Sequence, residues 1–207
     1  MIDMTKWQEI AKANIHTRPA TEGRLAGKIA IVTGAAQGFG KGIAEELYAE
    51  GATVGIADMN FAGAQAVAEA LGVNAFAIEV NVTDEESVAK MVQTTVEQWG
   101  GLDLLVSNAG VAKAGNLMEL EKSTFDFVTN INYTGYFLCA KYAAAIMEAQ
   151  HEADPEAFYG NAMNKLDKNL DQVDFYLTED GIVFYLSPDT IAPPETGVVS
   201  FEIKYDF

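Results

Sequence analysis

Three closely spaced glycines, Gly34, Gly38 and Gly40 in the run Thr33-Gly34-Ala35-Ala36-Gln37-Gly38-Phe39-Gly40, are the residues of this chain best suited to holding a phosphate. Without side chains they let the backbone turn sharply and approach an anion, while free amides at the start of a following helix face its charge. Gln37 and Phe39 complete the loop. Asp58 stands 24 residues beyond Gly34, where a carboxylate can accept hydrogen bonds from two ribose hydroxyls. A phosphate cradle and a ribose acceptor at this separation point to a dinucleotide. Both features also have plainer readings, the glycines as turns and Asp58 as a solvated carboxylate at a strand end.

The remaining reactive groups are scattered. His16 and His151 have no neighbouring ligands, and the single cysteine, Cys139, excludes an internal disulfide and a multi-thiolate metal site. Cys139 lies among Phe137, Leu138 and Ala140 and reads as a small buried hydrophobe. Lys141 reads as part of a solvated helix face. Glu45-Glu46 and Glu85-Glu86 suit helix starts, where negative charge complements the dipole. No metal site is expected.

The glycine loop is useful only if a strand delivers it and a helix follows. Apolar runs fit strands over Lys28–Val32, Thr53–Ala57, Ala75–Val80 and Leu102–Ser107, with helical apolar spacing between them, as at Ile43, Leu47 and Tyr48. A helix is expected to begin near Lys41, and Thr83 with Glu86 forms a candidate capping box. A long helix is expected from about Ser123 to Gln150. Strands alternating with helices imply a doubly wound parallel α/β sheet, truncated and Rossmann-like, with strand order 3-2-1-4. Residues 1–22 read as an amphipathic arm around Trp7, Ile10 and Ile15, residues 23–150 as the dinucleotide-binding domain, and residues 151–207 as a small α+β tail, separate or packed on that domain.

Residues 24–150 resemble the N-terminal half of a short-chain dehydrogenase/reductase. Thr33 to Gly40 resembles that family's TGxxxGxG loop, and Asn81-Val82-Thr83-Asp84 its Asp-Val-Thr segment. Asn108-Ala109-Gly110 reproduces its NAG motif, and Asn132 in Asn-Ile-Asn-Tyr-Thr-Gly matches its helix asparagine. Asn81 replaces an aspartate, and Phe39 stands where a smaller aliphatic residue is usual. The resemblance implies that Gly34, Gly38 and Gly40 line a pyrophosphate, Asp58 the adenosine ribose, Asn81 and Val82 the adenine, and Asn108, Ala109 and Gly110 the inner side of an NAD cofactor. Asp58 favours NAD over NADP, because a carboxylate repels a 2′-phosphate and neither arginine, Arg18 or Arg24, lies near these loops. Asn108 has a second reading, as a residue that fixes loop geometry. The long helix is an interface element in that family and would pair two chains as a homodimer.

That family's acid is a tyrosine activated by a lysine four residues later, assisted by a serine on the preceding strand. No tyrosine of this chain has a lysine at that spacing, and the serine strand is missing. Asn132, the remaining catalytic candidate, has a plainer reading as a helix amide bonded to a nearby carbonyl. Three functions follow as expectations. The chain binds NAD with little or no turnover; or its tail is a protein-interaction module; or a tail tyrosine, Tyr159 or Tyr176, replaces the acid for an unidentified small-molecule substrate.

The chain carries 30 acids against 13 Lys and Arg, a net charge of −17. Such a surface repels phosphate backbones, so no nucleic-acid partner is expected. No apolar run reaches the roughly 18 residues of a membrane span, and the N-terminus shows no export signal. A cytoplasmic protein without a membrane partner is expected. Beyond residue 150 the balance shifts to 12 acids against 3 bases, with 9 of the chain's 19 Phe and Tyr residues. Glu156–Leu170 fits a helix, Phe175–Leu186 a hairpin with an Asp-Gly turn, and Val198–Tyr205 a final strand. Within this tail, residues 156–207, the segments Phe175 to Tyr185, Ile191-Ala192-Pro193, Gly197 and Phe201-Glu202-Ile203 resemble the end of an extracytoplasmic domain found in lysozyme-sensing, anti-sigma-factor-like proteins. Asp189 stands where an aromatic is common there. Joined end to end, the two resemblances make the chain look like a fusion.

Overall fold

A computed structural model of the chain describes residues 2–154 and the two strands Val173–Thr178 and Gly181–Leu186. The chain forms two compact units, Met1–Asp154 and Pro155–Phe207. In the first, the apolar runs become β1 (Ile29–Thr33), β2 (Thr53–Asp58), β3 (Ala75–Glu79) and β4 (Leu104–Val106). They form one parallel sheet in the order β3-β2-β1-β4. Helices α2 (Gly38–Ala49), α3 (Phe61–Leu71) and α4 (Glu85–Trp99) connect the strands. This is the expected Rossmann-like α/β sheet.

The pleat of β1 shows why both faces are covered. Ala30 and Val32 point into one core with Ala44, Val54, Ile56, Ala64 and Val67, while Ile31 points into the other with Val88, Val92, Leu138, Tyr142 and Ile146. All five residues of β1 are buried, so the strand that delivers the glycine loop is held from both sides.

Several boundaries differ from the sequence reading. Helix α2 starts at Gly38, three residues before Lys41, because the chain enters it directly from extended Gln37. The capping box at Thr83 does not form. The Thr83 amide and hydroxyl are both bonded to Asn81 Oδ1, and the cap moves to Asp84, whose Oδ1 accepts from the amides of Glu86 and Ser87. Strand β4 is shorter than Leu102–Ser107. At its start the Gln150 side chain takes both backbone groups of Leu102, and at its end Asn108 N–H turns back to the carbonyl of Val106.

The long helix is three segments, α5 (Lys122–Thr129), a π-helical turn (Asn130–Thr134) and α6 (Gly135–Ala153). The arm is not a loose appendage. Its helix α1 (Thr5–Ala13) packs against α4 and α6, with Met4 and Ala11 buried and Trp7 and Ile10 partly so. In the second unit, β5 (Val173–Thr178) and β6 (Gly181–Leu186) pair antiparallel, with Thr178 opposite Gly181. The hairpin is therefore present with Gly181 inside its second strand. The expected helix over Glu156–Leu170 and strand over Val198–Tyr205 lie outside the described residues, as does Tyr159.

Candidate functional site

All four parallel strands end on one side of the sheet, and the loops leaving them enclose a cleft of about 660 Å³. Gly34, Gln37, Gly38, Phe39, Gly40, Asp58, Asn81, Val82, Asn108, Ala109 and Gly110 all line it. These are the eleven binding residues expected from the sequence, brought to one place by strands that pair out of sequence order. Met59, Val80, Thr83, Val111, Phe127, Asn130 and Ile131 complete the lining. Among these, Met59 and Thr83 could have been found as neighbours of Asp58 and Val82. Asn130 and Ile131 open the Asn-Ile-Asn-Tyr-Thr-Gly segment already noted around Asn132 and lie in the π turn, whereas Phe127, in α5, carries no local signal.

The glycine loop is built for close approach. No side chain caps the start of α2, so its first amides are left for another acceptor. Gly38 has φ +59° and a Cβ there would meet nothing within 4 Å, whereas a Cβ on Gly40 would run into the carbonyl oxygen of Gly34. Gly38 thus keeps space open, and Gly40 lets the helix pack against the turn. Uncapped amides beside open space fit a pyrophosphate. Phe39 is 89% exposed at the mouth of the cleft.

Thr33 and Asn108 tie the glycine loop to the loop after β4. Thr33 Oγ1 accepts from the amides of Asn108 and Ala109, both at 3.0 Å. The Asn108 side chain donates in return to the carbonyls of Thr33 at 2.9 Å and Gly34 at 3.2 Å. Asn108 therefore fixes loop geometry, and it also lines the cleft. Thr33, fully buried, opens the glycine run in the sequence, but its part in tying the two loops together shows only in the structure.

Asp58 is not simply solvated. Its Oδ2 accepts from the Ala36 amide at 3.0 Å and its Oδ1 from the Asn60 amide at 2.8 Å, joining the glycine loop to the start of α3. A carboxylate has about four lone-pair sites, so acceptor capacity remains for a ligand. No Lys or Arg is among the cleft-lining residues. Arg18 instead pairs with Asp103 at 3.4 Å and Arg24 with Glu50 at 2.6 Å.

Asn132 sits in the π turn and is bonded at both ends. Its Oδ1 accepts from Val111 N–H and its Nδ2 donates to Val111 O, each at 2.9 Å. It holds the loop after β4 without lining the cleft itself. Lys141 is not a freely solvated cation, since it donates to Glu85 Oε1 at 2.7 Å, and the Tyr142 hydroxyl donates to the same oxygen at 2.8 Å. These bonds hold the Glu85 carboxyl below its ordinary pKa and Lys141 above its own. Burial pushes the Cys139 thiol up to about 11, against the opposing pull of a hydrogen bond with Ser107. His16 pairs with Asp154 at 3.2 Å. Among the described residues no three His, Cys, Asp or Glu side chains form a metal cluster, and no helix is long and apolar enough to cross a membrane.

A parallel sheet whose first turn is a glycine cradle, with a carboxylate ending the neighbouring strand, defines a Rossmann-like fold. The chain belongs to the short chain dehydrogenase family, whose model matches residues 28–154. It is 40% identical over 127 residues to secoisolariciresinol dehydrogenase of Forsythia intermedia, covering 60% of this chain and 46% of that protein. It is 37% identical over 126 residues to sorbitol dehydrogenase of Cereibacter sphaeroides, covering 61% of this chain and 49% of the relative. The chain thus spans about half the length of the curated relatives it matches. A crystal structure of 3-ketoacyl-(acyl-carrier-protein) reductase from Brucella melitensis complexed with NADH matches with a TM-score of 0.55 and 36% identity, covering 56% of this chain and 49% of that one. A second family model, described as a protein of unknown function (DUF3298), matches residues 127–206.

Proposed function

We propose that the cleft binds NAD and that the first unit is the cofactor-holding half of a short-chain oxidoreductase. The observation that carries this reading is the uncapped start of α2 beside the open space at Gly38, with Asp58 joined to the same loop. The pyrophosphate would lie on the amides of Gly38 to Gly40, the ribose against Asp58, and the adenine against Asn81 and Val82, with Asn108, Ala109 and Gly110 at the inner end. Asp58, without a lysine or arginine in the lining, favours the free 2′-hydroxyl of NAD over the 2′-phosphate of NADP. A bound nicotinamide would supply a hydride donor or acceptor.

Turnover is slight or absent on this reading, because no tyrosine has the lysine partner that would make it an acid. Asn132 then acts as a positioning residue through Val111, not as a relay to a lysine. Homodimerisation through the helix over residues 123–150 is supported by the exposure of Phe125, Tyr133, Tyr136 and Phe137 along it, and the chain would work in the cytoplasm.

Titrating NADH by its fluorescence against the protein and its Gly38→Asp variant tests the binding. Saturable binding lost in the variant is expected, since a carboxylate would stand where the phosphates lie. Equal weak binding by both removes the dinucleotide claim. Incubating the protein with NAD and a broad alcohol panel tests turnover, and NADH production would show that another residue takes the alcohol's proton.

A second reading, which rests on the resemblance of the tail's own residues, takes residues 151–207 as a protein-interaction or sensor-like module of the lysozyme-sensing kind; the family model matched over residues 127–206 assigns no function. Calorimetric titration of the whole chain with lysozyme would show binding if so, and absence of heat at high concentration would end the sensor version.

A further inference from the structure

Among the described residues the parallel sheet ends at β4, and the backbone shows where that edge is open. Asp103 N–H donates to the Ile29 carbonyl at 2.8 Å, so alternation along the strand turns the backbone groups of Leu105 toward β1 as well and those of Leu102, Leu104 and Val106 away from it. Some of these outward groups are closed by the unit itself. The Gln150 amide takes both backbone groups of Leu102 at 2.8 and 2.9 Å, and the Val106 carbonyl accepts from Asn108 N–H at 3.0 Å. The N–H and C=O of Leu104 and the N–H of Val106 have no partner among the described residues. The side chains leave the same gap. Leu104 and Val106 pack against one core and Leu105 against the other, yet each is only half-buried, whereas β1 is buried throughout. Edge strands are ordinarily blunted by a charge, a proline or a bulge. The opposite edge, β3, ends in exposed Glu79, but Leu104-Leu105-Val106 carries neither charge nor proline.

Helix α6 points to what the gap takes. Helix α4 carries the chain from β3 across to β4 over the face where Val88 and Val92 pack, and α6 lies on that same face through Leu138, Tyr142 and Ile146. A crossover that continues in this direction with the same right hand delivers the next strand to the free side of β4, parallel to it. The chain's next described strand, β5, instead pairs antiparallel with β6 in the second unit. We infer that the free side of β4 takes its strand from a separate polypeptide, one equivalent to the second half of a short-chain dehydrogenase. The inference builds on the oxidoreductase-half reading above. Length selects this occupant, because the match covers only 46% and 49% of two curated relatives. Chemistry selects it too, since no tyrosine here has the lysine partner that the resembled family uses, and the serine strand is missing. Both cores open at β4, so the added strand is covered on both faces and must be continuously apolar, as strands inside a parallel sheet are.

The test co-expresses the full chain with a tagged fragment of the Cereibacter sphaeroides sorbitol dehydrogenase, the part of that protein that follows the 126 matched residues. The fragment should retain the full chain on an affinity resin in equimolar amount. Retention should fall several-fold with Leu104→Pro, whose lost N–H faces away from β1 and so spares the ladder inside the unit. Should tryptophan fluorescence show Leu104→Pro unfolded, Leu104→Lys replaces it, because a lysine stem covers the same apolar ground while its charge blunts the edge. Amide exchange reads the edge directly. In the full chain alone the Leu104 and Val106 amides should exchange at least about tenfold faster than that of Leu105, and in the pair they should slow by at least about tenfold. A fragment that does not retain the full chain, edge variants retained as firmly as the unmodified protein, or slow exchange at Leu104 and Val106 in the full chain alone overturns the inference. NADH titration keeps the two readings apart. A chain that takes the fragment but binds no NADH loses the cofactor claim and keeps the strand site, whereas one that binds NADH and refuses the fragment does the reverse.

Discussion

Replacing Gly38 and Gly40 with alanine, one at a time, should separate ligand binding from folding although the two lie two residues apart. A Cβ on Gly38 meets no atom within 4 Å, but its φ of +59° is left-handed, and an L-residue held there costs about 1–2 kcal/mol. A Cβ on Gly40 runs into the Gly34 carbonyl oxygen and comes within 2.5 Å of the Asn108 side-chain nitrogen. Overpacking of this kind costs about 3 kcal/mol when the obstacle is backbone. Disturbing the Asn108 bonds to Thr33 and Gly34 adds about 1 kcal/mol, and alanine's better helix propensity returns about 1 kcal/mol. The net expectation is a loss of about 3 kcal/mol for Gly40→Ala against about 1 for Gly38→Ala. Urea unfolding followed by tryptophan fluorescence reads the first unit alone, because the chain's two tryptophans, Trp7 and Trp99, both belong to it. In NADH titrations Gly38→Ala should weaken binding at least about tenfold while the protein stays folded, since its methyl occupies the space beside the free amides. Equal destabilisation by the two substitutions, or undiminished NADH binding by Gly38→Ala, would refute the reasoning.

Three further outcomes follow from the geometry. Gln150, only 1% exposed, bonds both backbone groups of Leu102 at 2.8 and 2.9 Å. Gln150→Met keeps the volume but leaves two buried polar groups unpaired, so urea unfolding should show a loss of about 2–6 kcal/mol; under 1 kcal/mol would mean that water replaces the amide. Asn132→Leu removes both bonds to Val111 and should weaken NADH binding several-fold through the loosened loop, whereas affinity within experimental error would show that the loop holds itself. The Cys139 thiol ionises near 11 when folded and near 9 when exposed. As pH rises, the unfolded chain loses this proton first. Its contribution to stability is therefore flat below about pH 8 and declines between about 9 and 11, by roughly 3 kcal/mol at most. Chemical denaturation across that range should show this slope in the unmodified protein and lose it in Cys139→Ala; identical slopes would place the thiol in contact with water.

The exposed aromatics on the long helix show how local pattern and environment diverge. Phe125 and Phe137 would be scored as core by hydropathy, yet each is more than half exposed. Conversely, the amphipathic arm around Trp7 and Ile10 shows no partner in the linear sequence but packs with α4 and α6 in one of the two cores. Only the position of a helix in the fold determines which of its faces meets another element.

The alternation of β and α segments, the parallel sheet and the glycine loop were all legible in the linear chain, because strand and helix periodicity and the steric freedom of glycine act over a few residues. The convergence of the eleven expected residues on one cleft followed from recognising that pattern. Tertiary structure alone decided how the cleft is held together. Asn132 reaches Val111 across 21 residues, Gln150 reaches Leu102 across 48, and Asn108 reaches Thr33 across 75. Such bonds depend on which backbone groups the packed sheet and helices leave without partners, and no spacing rule along the sequence encodes that.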